Sequence, residues 1–213
     1  MESPGTLIKF GELEHLEQLQ DEGLIYMNIL PYFWKIEDEE LRGDPFDCAI
    51  QAIQRGPMIT MGLPDGKVVK VCNDYTMKIR PLNPEKINIY CMYALRPHID
   101  GVFPVDKRNQ RFGGYALLIN PNEFMQRLEL YLKSNEILAN GDLVEYVNDE
   151  HTDKLGPFRK FSRFSYQHEW RLVCHNGSGE PRIIQIGSIQ DISVILPFNE
   201  VDKQIQIHFE PSN

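Results

Sequence analysis

A glutamate at the start of an apolar segment is the first residue whose type and position suggest chemistry. In the segment EWRLVCH, alternation predicts a β-strand with Trp170 on one face and Glu169 and Arg171 on the other. A carboxylate beside a core strand can be catalytic. Equally, Glu169 and Arg171 can form an ion pair on a solvated face of the sheet, and the pattern alone leaves both interpretations open.

A basic and aromatic stretch directly precedes this glutamate. Its basic and aromatic side chains interleave, which is the combination that stacks unpaired bases while neutralising phosphates. The members that we assign to nucleic-acid binding are Arg159, Lys160, Phe161, Arg163 and Phe164. The alternative is that the rings anchor a loop in the core while the basic groups stay in water.

A second basic segment lies in a long loop, RPHIDGVFPVDKRNQRFGG, that lacks apolar periodicity. It carries Lys107, Arg108 and Arg111. We expect these side chains to converge on the same groove as the first basic stretch.

Three separated stretches resemble known families. The opening IKFGELEHLEQLQDEGLIYMN resembles the first strand, helix and second strand of ADP-ribosyltransferase folds, in particular bacterial toxins that modify nucleic acids. The continuation resembles a widespread uncharacterised bacterial family that has a tyrosine-containing strand, an F-N-D-P-F-E motif and a late E-x-R strand. Glu169 and Arg171 match that strand, whereas Asp47 stands where the motif has glutamate. Together the stretches span most of the chain.

The resemblance implies a site for NAD. Glu169 would stabilise the cationic ribose that forms as nicotinamide leaves, and Tyr26, which we group with it as a catalytic residue, would stack on the nicotinamide. The other cofactor-binding residues would be Lys9, which stands where related transferases tend to have histidine or arginine, Asn28, and Arg42 on the pyrophosphate. Each also has a structural interpretation, as a strand residue or a surface ion-pair partner.

The resemblance also implies partners. The acceptor would be RNA or single-stranded DNA, and a toxin or antiphage effector of this kind would need a neutralising antitoxin protein in its own cell. Two other hypotheses stay open: a non-catalytic module that binds single-stranded nucleic acid, and a transferase that acts on protein.

Composition places the chain among ordinary soluble proteins. It has 213 residues, of which 42% are hydrophobic and 25% charged, and a net charge of −9. Its cysteines and histidines lack metal-ligand spacing, so we predict no metal. No apolar run is long enough to span a bilayer and the N-terminus lacks a secretory pattern, so we expect a cytoplasmic protein without membrane contact.

The elements that must position these residues are short helices and strands. The strand candidates include LIKF, LIYMNIL, KVVKVCN, MKIRPL, INIYCMYAL, GYALLIN, DLVEYV, RIIQIG, SVILP and IQIHF. Helices are predicted before Gly23, after Asp44 with Phe46, Ala49, Ile50 and Ile53 as the buried stripe, and after Asn120 or Asn122. We therefore predict a single α+β domain over residues 1–213, and the resemblance implies an ADP-ribosyltransferase-like split β-sheet core with flanking helices.

Overall fold

The protein combines helices with largely antiparallel sheets in a computed structural model. The structure describes residues 5–35, 46–53, 56, 58–73, 75–96 and 104–205. The helices are α1 (Leu13–Glu22), α2 (Leu30–Lys35), α3 (Pro121–Ser134) and α4 (Val201–Gln204), with 3₁₀ turns at Pro84–Lys86, Lys107–Phe112, Ser162–Gln167, Gln190–Ile192 and Phe198–Glu200. The predicted α+β class is confirmed.

The strands are short, and besides the main sheet they form three smaller sheets among the described residues. They are β1 (Thr6–Gly11), β2 (Leu24–Ile29), β3 (Gln51–Ile53), β4 (Ile59–Gly62), β5 (Val68–Cys72), β6 (Met77–Ile79), β7 (Asn88–Leu95), β8 (Tyr115–Ile119), β9 (Ala139–Leu143), β10 (Glu145–Val147), β11 (Asp153–Lys154), β12 (Arg159–Phe161), β13 (Glu169–Cys174), β14 (Arg182–Gln185) and β15 (Ser193–Pro197). The sequence patterns located most of these, although IQIHF lies almost wholly outside the described residues.

The main sheet is split along one edge of its long strand β7. The strands run β14-β2-β7-β1-β8-β15, while β13 pairs with the other edge of β7 and also with β9. At one end of β7, β2 pairs through Asn28 with Ile89; at the other end, β1 pairs through Ile8 with Tyr93. Between these points β1 and β2 diverge, so residues 90–92 of β7 face no partner strand on that edge among the described residues.

The two faces of the sheet have different environments. On one face α1 and α3 pack through Leu16 and Phe124 onto a large core that includes Trp170 of β13. The opposite face carries smaller clusters, one of which contains Phe161 and Phe164. The predicted alternation of β13 is confirmed, because Trp170 lies in the helix-covered core and Glu169 and Arg171 contact residues on the opposite face.

One predicted helix is wrong. Residues 51–53, assigned to a helix after Asp44, form strand β3, which pairs with β6 and β11. A turn precedes it, in which the N–H of Ala49 donates to the carbonyl of Phe46 and Cys48 has a φ of 52°. Strand pairing outweighs the helical spacing of the apolar residues here. Asp44 itself lies outside the described residues.

The predictions of a helix that ends before Gly23 and of a helix that begins after Asn120 are confirmed. Gly23 follows α1 in the left-handed conformation, with a φ of 64°, and Asn120 caps α3 by accepting hydrogen bonds from the N–H groups of Asn122 and Glu123. Within the described part of the chain, no helix is long and apolar enough to cross a membrane.

Replacing Gly23 by Ala should destabilise the fold. A Cβ there would lie 2.1 Å from the carbonyl oxygen of Gly187, and the left-handed backbone adds strain for any other residue. We expect a loss of about 2 kcal/mol or more in the free energy of unfolding, measured in urea. Gly114→Ala is the matched control, because its added Cβ would meet nothing within 4 Å. Equal effects of the two substitutions would contradict this account.

Candidate functional site

The Glu169 carboxylate lies between two buried cations. One oxygen, Oε1, accepts a hydrogen bond of 2.6 Å from Lys160 Nζ, and the other, Oε2, accepts one of 2.8 Å from Arg171 Nη2. Glu169 is only 7% exposed. The predicted ion pair with Arg171 therefore exists, but it is buried rather than on a solvated face, and Lys160 is a second partner that the sequence did not indicate.

Arg171 extends this contact to a second carboxylate. Its Nη1 donates to Asp47 Oδ1 at 2.7 Å and to the carbonyl of Pro157 at 2.7 Å. We call the four side chains Lys160, Glu169, Arg171 and Asp47 the charge network. It contains two cations and two anions, each buried, so that every charge has an opposite charge beside it. Buried ions require such pairing because desolvation is otherwise too costly.

Local structure explains how the four residues meet. Parallel pairing of β10 with β12 fixes Lys160, which also donates to Gln167 Oε1 at 2.8 Å. Glu169 and Arg171 share one face of β13 because they are two residues apart in a strand. The backbone carbonyl of Asp47 is held by the indole N–H of Trp34 at 2.9 Å.

The charge network affects the protonation of Glu169 and of the nearby thiol of Cys91. Burial alone would raise the pKa of Glu169, but the charges of Lys160 and Arg171 outweigh it and lower that pKa below its ordinary value of 4.5. Burial also raises the pKa of the nearby Cys91 thiol to about 12, with a further contribution from the Glu169 charge. At neutral pH the site thus holds an ionised carboxylate and a neutral thiol.

A cavity of about 790 Å³ opens where β1 and β2 separate. Its lining combines the charge network with side chains from both faces of the sheet, among them Lys9, Leu16, Tyr26, Asn28, Tyr93 and Arg111. This volume falls within the range of about 300–1,000 Å³ that is typical of ligand sites. Glu169 therefore lines a cavity that has the size of a ligand site.

The structure brings together three of the four residues that we assigned to NAD. Lys9 donates from Nζ to the carbonyl of Cys91 at 2.8 Å, and the same ammonium lies 4.2 Å from the centre of the Tyr90 ring. Tyr26 is 48% exposed, and Asn28 is partly buried on the same strand. Arg42 lies outside the described residues.

The basic and aromatic stretch differs from the exposed binding surface that we expected. Phe161 is 0% exposed, Phe164 is buried in the same cluster, and Lys160 is committed to Glu169. Rings enclosed in this way offer no face to a base in this structure, which agrees with the alternative that they anchor a loop in the core. The physical reason is that the stretch folds as β12 and a 3₁₀ turn against the sheet.

Arg159 and Arg163 remain accessible. Each keeps 43% of its side chain exposed, and each lies near an acidic residue: Arg159 pairs with Glu145 at 2.7 Å, and Arg163 is 3.8 Å from Asp149. In the second basic segment, Arg108 pairs with Asp106 and stacks on the Tyr166 ring, whereas Arg111 lines the cavity. The accessible basic surface formed by these side chains is therefore smaller than the one predicted from the sequence.

Sequence reasoning missed the structural importance of Asp47 and Gln167. Asp47 drew attention only as a departure from the family motif, yet it is 3% exposed and paired with Arg171 across 124 positions of the chain. Its one sequence signal is an acidic residue between aromatic and apolar neighbours.

Among the described residues, no group of three or more histidine, cysteine, aspartate or glutamate side chains is arranged to hold a metal ion.

Comparisons of the chain with protein-family models, curated proteins and solved structures find no match. The resemblance to ADP-ribosyltransferases therefore stays a prediction. The function has to be inferred from the cavity and the charges that line it.

Stability should depend on pH through Glu169. Its pKa is lower in the folded than in the unfolded protein, so the ionised carboxylate stabilises the fold above pH 4.5, and this contribution is lost as the pH falls below that value. Glu169→Gln lacks the titrating group. We expect the difference in the free energy of unfolding between wild type and this variant to shrink on going from about pH 7 to about pH 3 in urea titrations. A difference that does not change with pH would contradict this role.

Proposed function

We propose that this protein is an NAD-dependent ADP-ribosyltransferase and that Glu169 is its catalytic carboxylate. The observation that carries the proposal is the shared cavity: an ionised carboxylate and an accessible tyrosine, Tyr26, line one opening at the split of the sheet. The resemblance described above independently assigns these two residues to NAD.

The charge of Glu169 suits this chemistry. Breaking the bond between nicotinamide and ribose leaves positive charge on the sugar, and a fixed anion stabilises that charge in the transition state. Because the pKa of Glu169 is lowered, the carboxylate is anionic throughout the physiological range. Its role is accordingly electrostatic, since a general acid or base works best with a pKa near the working pH.

The cations beside Glu169 fix the orientation of its carboxylate. Lys160 and Arg171 each donate a hydrogen bond to one carboxylate oxygen, which fixes the orientation of the group. They also offset part of its charge, so a ribose hydroxyl has to share Oε1 with Lys160. In the proposed reaction nicotinamide leaves with the electron pair of the broken bond, and an acceptor nitrogen or oxygen bonds to the sugar and releases its proton.

The remaining residues would bind NAD. Tyr26, accessible on β2, would stack on nicotinamide, and Asn28 on the same strand would bind its carboxamide or the ribose. Lys9 would contact the dinucleotide from the other side of the split, and Arg42 stays assigned to the pyrophosphate. NAD is thus the proposed cosubstrate, and no metal is proposed.

We assign the acceptor to single-stranded nucleic acid, RNA or DNA. The support is now the accessible pair Arg159 and Arg163, with Arg111 at the cavity, rather than the aromatic rings. A cytoplasmic enzyme with this activity would need a neutralising partner protein. Protein is the second candidate acceptor, and it is favoured by the burial of Phe161 and Phe164, which reduces the stretch to a scaffold.

A second candidate function is ligand binding without catalysis. It is favoured by one observation, which is that both oxygens of Glu169 already have cationic partners. Such a protein would bind NAD or nucleic acid in the cavity and leave it unchanged.

Glu169→Gln should abolish most transfer. The amide keeps the shape of the side chain but removes the anion, so we expect the rate of nicotinamide release with labelled NAD and mixed acceptors to fall by about 10²–10³-fold. Glu129→Gln is the control, because that glutamate on α3 also pairs with a basic residue, Lys133, but is exposed and lies outside the proposed site. Circular dichroism checks that each variant is folded before its activity is compared. If the wild type consumes no NAD with RNA, single-stranded DNA or protein, the proposal is wrong.

The double variant Arg159→Gln/Arg163→Gln should distinguish the acceptors. If nucleic acid is the acceptor, binding of single-stranded RNA or DNA weakens and its dependence on salt becomes shallower, because about two phosphate contacts are lost. Lys133→Gln, which removes an exposed cation from α3, should leave binding unchanged. Label transfer to protein that the double variant does not alter would assign the acceptor to protein instead.

A further inference from the structure

The β-hairpin formed by β4 and β5 stands apart from the main sheet. The two strands pair only with each other among the described residues. Every residue of β4 is exposed, and so is every residue of β5 before Cys72. Hairpins of two strands are marginally stable in water unless another element covers them.

The hairpin is well formed despite this exposure. Its turn is closed by a hydrogen bond of 2.7 Å from the N–H of Leu63 to the carbonyl of Lys67, and Gly66 has a φ of 83°. Asp65 accepts a further bond from the N–H of Lys67. The exposed strands are therefore ordered at their turn and ready to pair.

Large apolar side chains cover the hairpin. Those of Met58, Ile59, Met61, Val68, Val69 and Val71 are all exposed, and Val68 reaches 69%. Soluble proteins rarely expose contiguous apolar patches of this kind unless the patch binds a partner. The hairpin thus has the composition of an interface.

The two edges of the hairpin differ in charge. Lys67 and Lys70 lie at or beside β5, and lysines on an edge strand discourage pairing with another chain. By contrast, residues 56–64, which include β4, hold no charged side chain. Of these two edges, that of β4 has neither a partner strand among the described residues nor a charged side chain.

The distribution of charge favours a second copy of the chain as the partner. With a net charge of −9, two copies repel over most of their surfaces. Pairing through an uncharged strand brings no like charges into direct contact, salt screens the charges farther away, and antiparallel pairing about a two-fold axis is self-complementary. An axis through Thr60 would place Ile59 of each copy opposite Met61 of the other, which gives two apolar cross-strand pairs.

We propose that the protein forms a symmetric dimer in which β4 pairs antiparallel with β4 of a second copy. The two hairpins then make one four-stranded sheet, with the lysine-bearing β5 strands outermost. This interface does not depend on the chemistry proposed for the cavity.

Sedimentation velocity over about a hundredfold range of protein concentration tests the dimer. The double variant Ile59→Lys/Met61→Lys places lysines opposite each other across the axis, and we expect dimerisation to weaken about tenfold or more. In Ile59→Lys/Met61→Glu each lysine instead faces a glutamate, so dimerisation should recover. Val194→Lys, at an exposed valine on β15, is the matched control and should leave the dimer intact.

Two results would overturn the proposal. One is a wild-type protein that is monomeric over the whole concentration range, which would leave the hairpin to a different partner. The other is a dimer that withstands the two lysines as well as it withstands Val194→Lys, which would place the interface elsewhere.

Discussion

Two buried cations hold the Glu169 carboxylate, and the candidate site depends on this contact. The charge network joins parts of the chain that are far apart: Asp47 follows the region of α2, Lys160 lies on β12, and Glu169 and Arg171 lie on β13. Each of its charges is desolvated, so each is stabilised only while its neighbours stay in place. The network thereby links the cavity to the strands that surround it.

The same contacts that stabilise Glu169 also limit its chemistry. A carboxylate between Lys160 and Arg171 is ionised at physiological pH and held in one orientation, which suits the electrostatic stabilisation of a cation. The cost is a weaker field at the cavity, because the two positive charges offset part of the negative one. In this arrangement the carboxylate gains a fixed orientation but loses part of its negative potential at the cavity.

The sequence predicted local structure better than it predicted the site. Gly23, Asn120 and the alternation of Trp170 with Glu169 were correct because their signals are short-range: a left-handed stop, a cap and a strand period. The helix over residues 46–53 was wrong because β3 is defined by pairing with β6 and β11, which sequence spacing does not record.

The candidate site could be predicted only in part, because its contacts also depend on segments that are distant in the sequence. Glu169 and Tyr26 line the same cavity, and their assignment to NAD stays a prediction. Lys160 was instead assigned to nucleic-acid binding with its basic neighbours, since nothing in the order of residues reveals that its side chain contacts Glu169. The pairing of Arg171 with Asp47 depends on the folded path of the whole chain.

The divergence of β1 from β2 makes the opening a property of chain connectivity. Two parallel strands pair with the same edge of β7 at its opposite ends, and residues 90–92 between them face no partner strand on that edge among the described residues. Lys9 meets one of the carbonyl groups left there, that of Cys91, without closing the space. Substitution of the side chains around the opening should consequently change its size and charge without closing it.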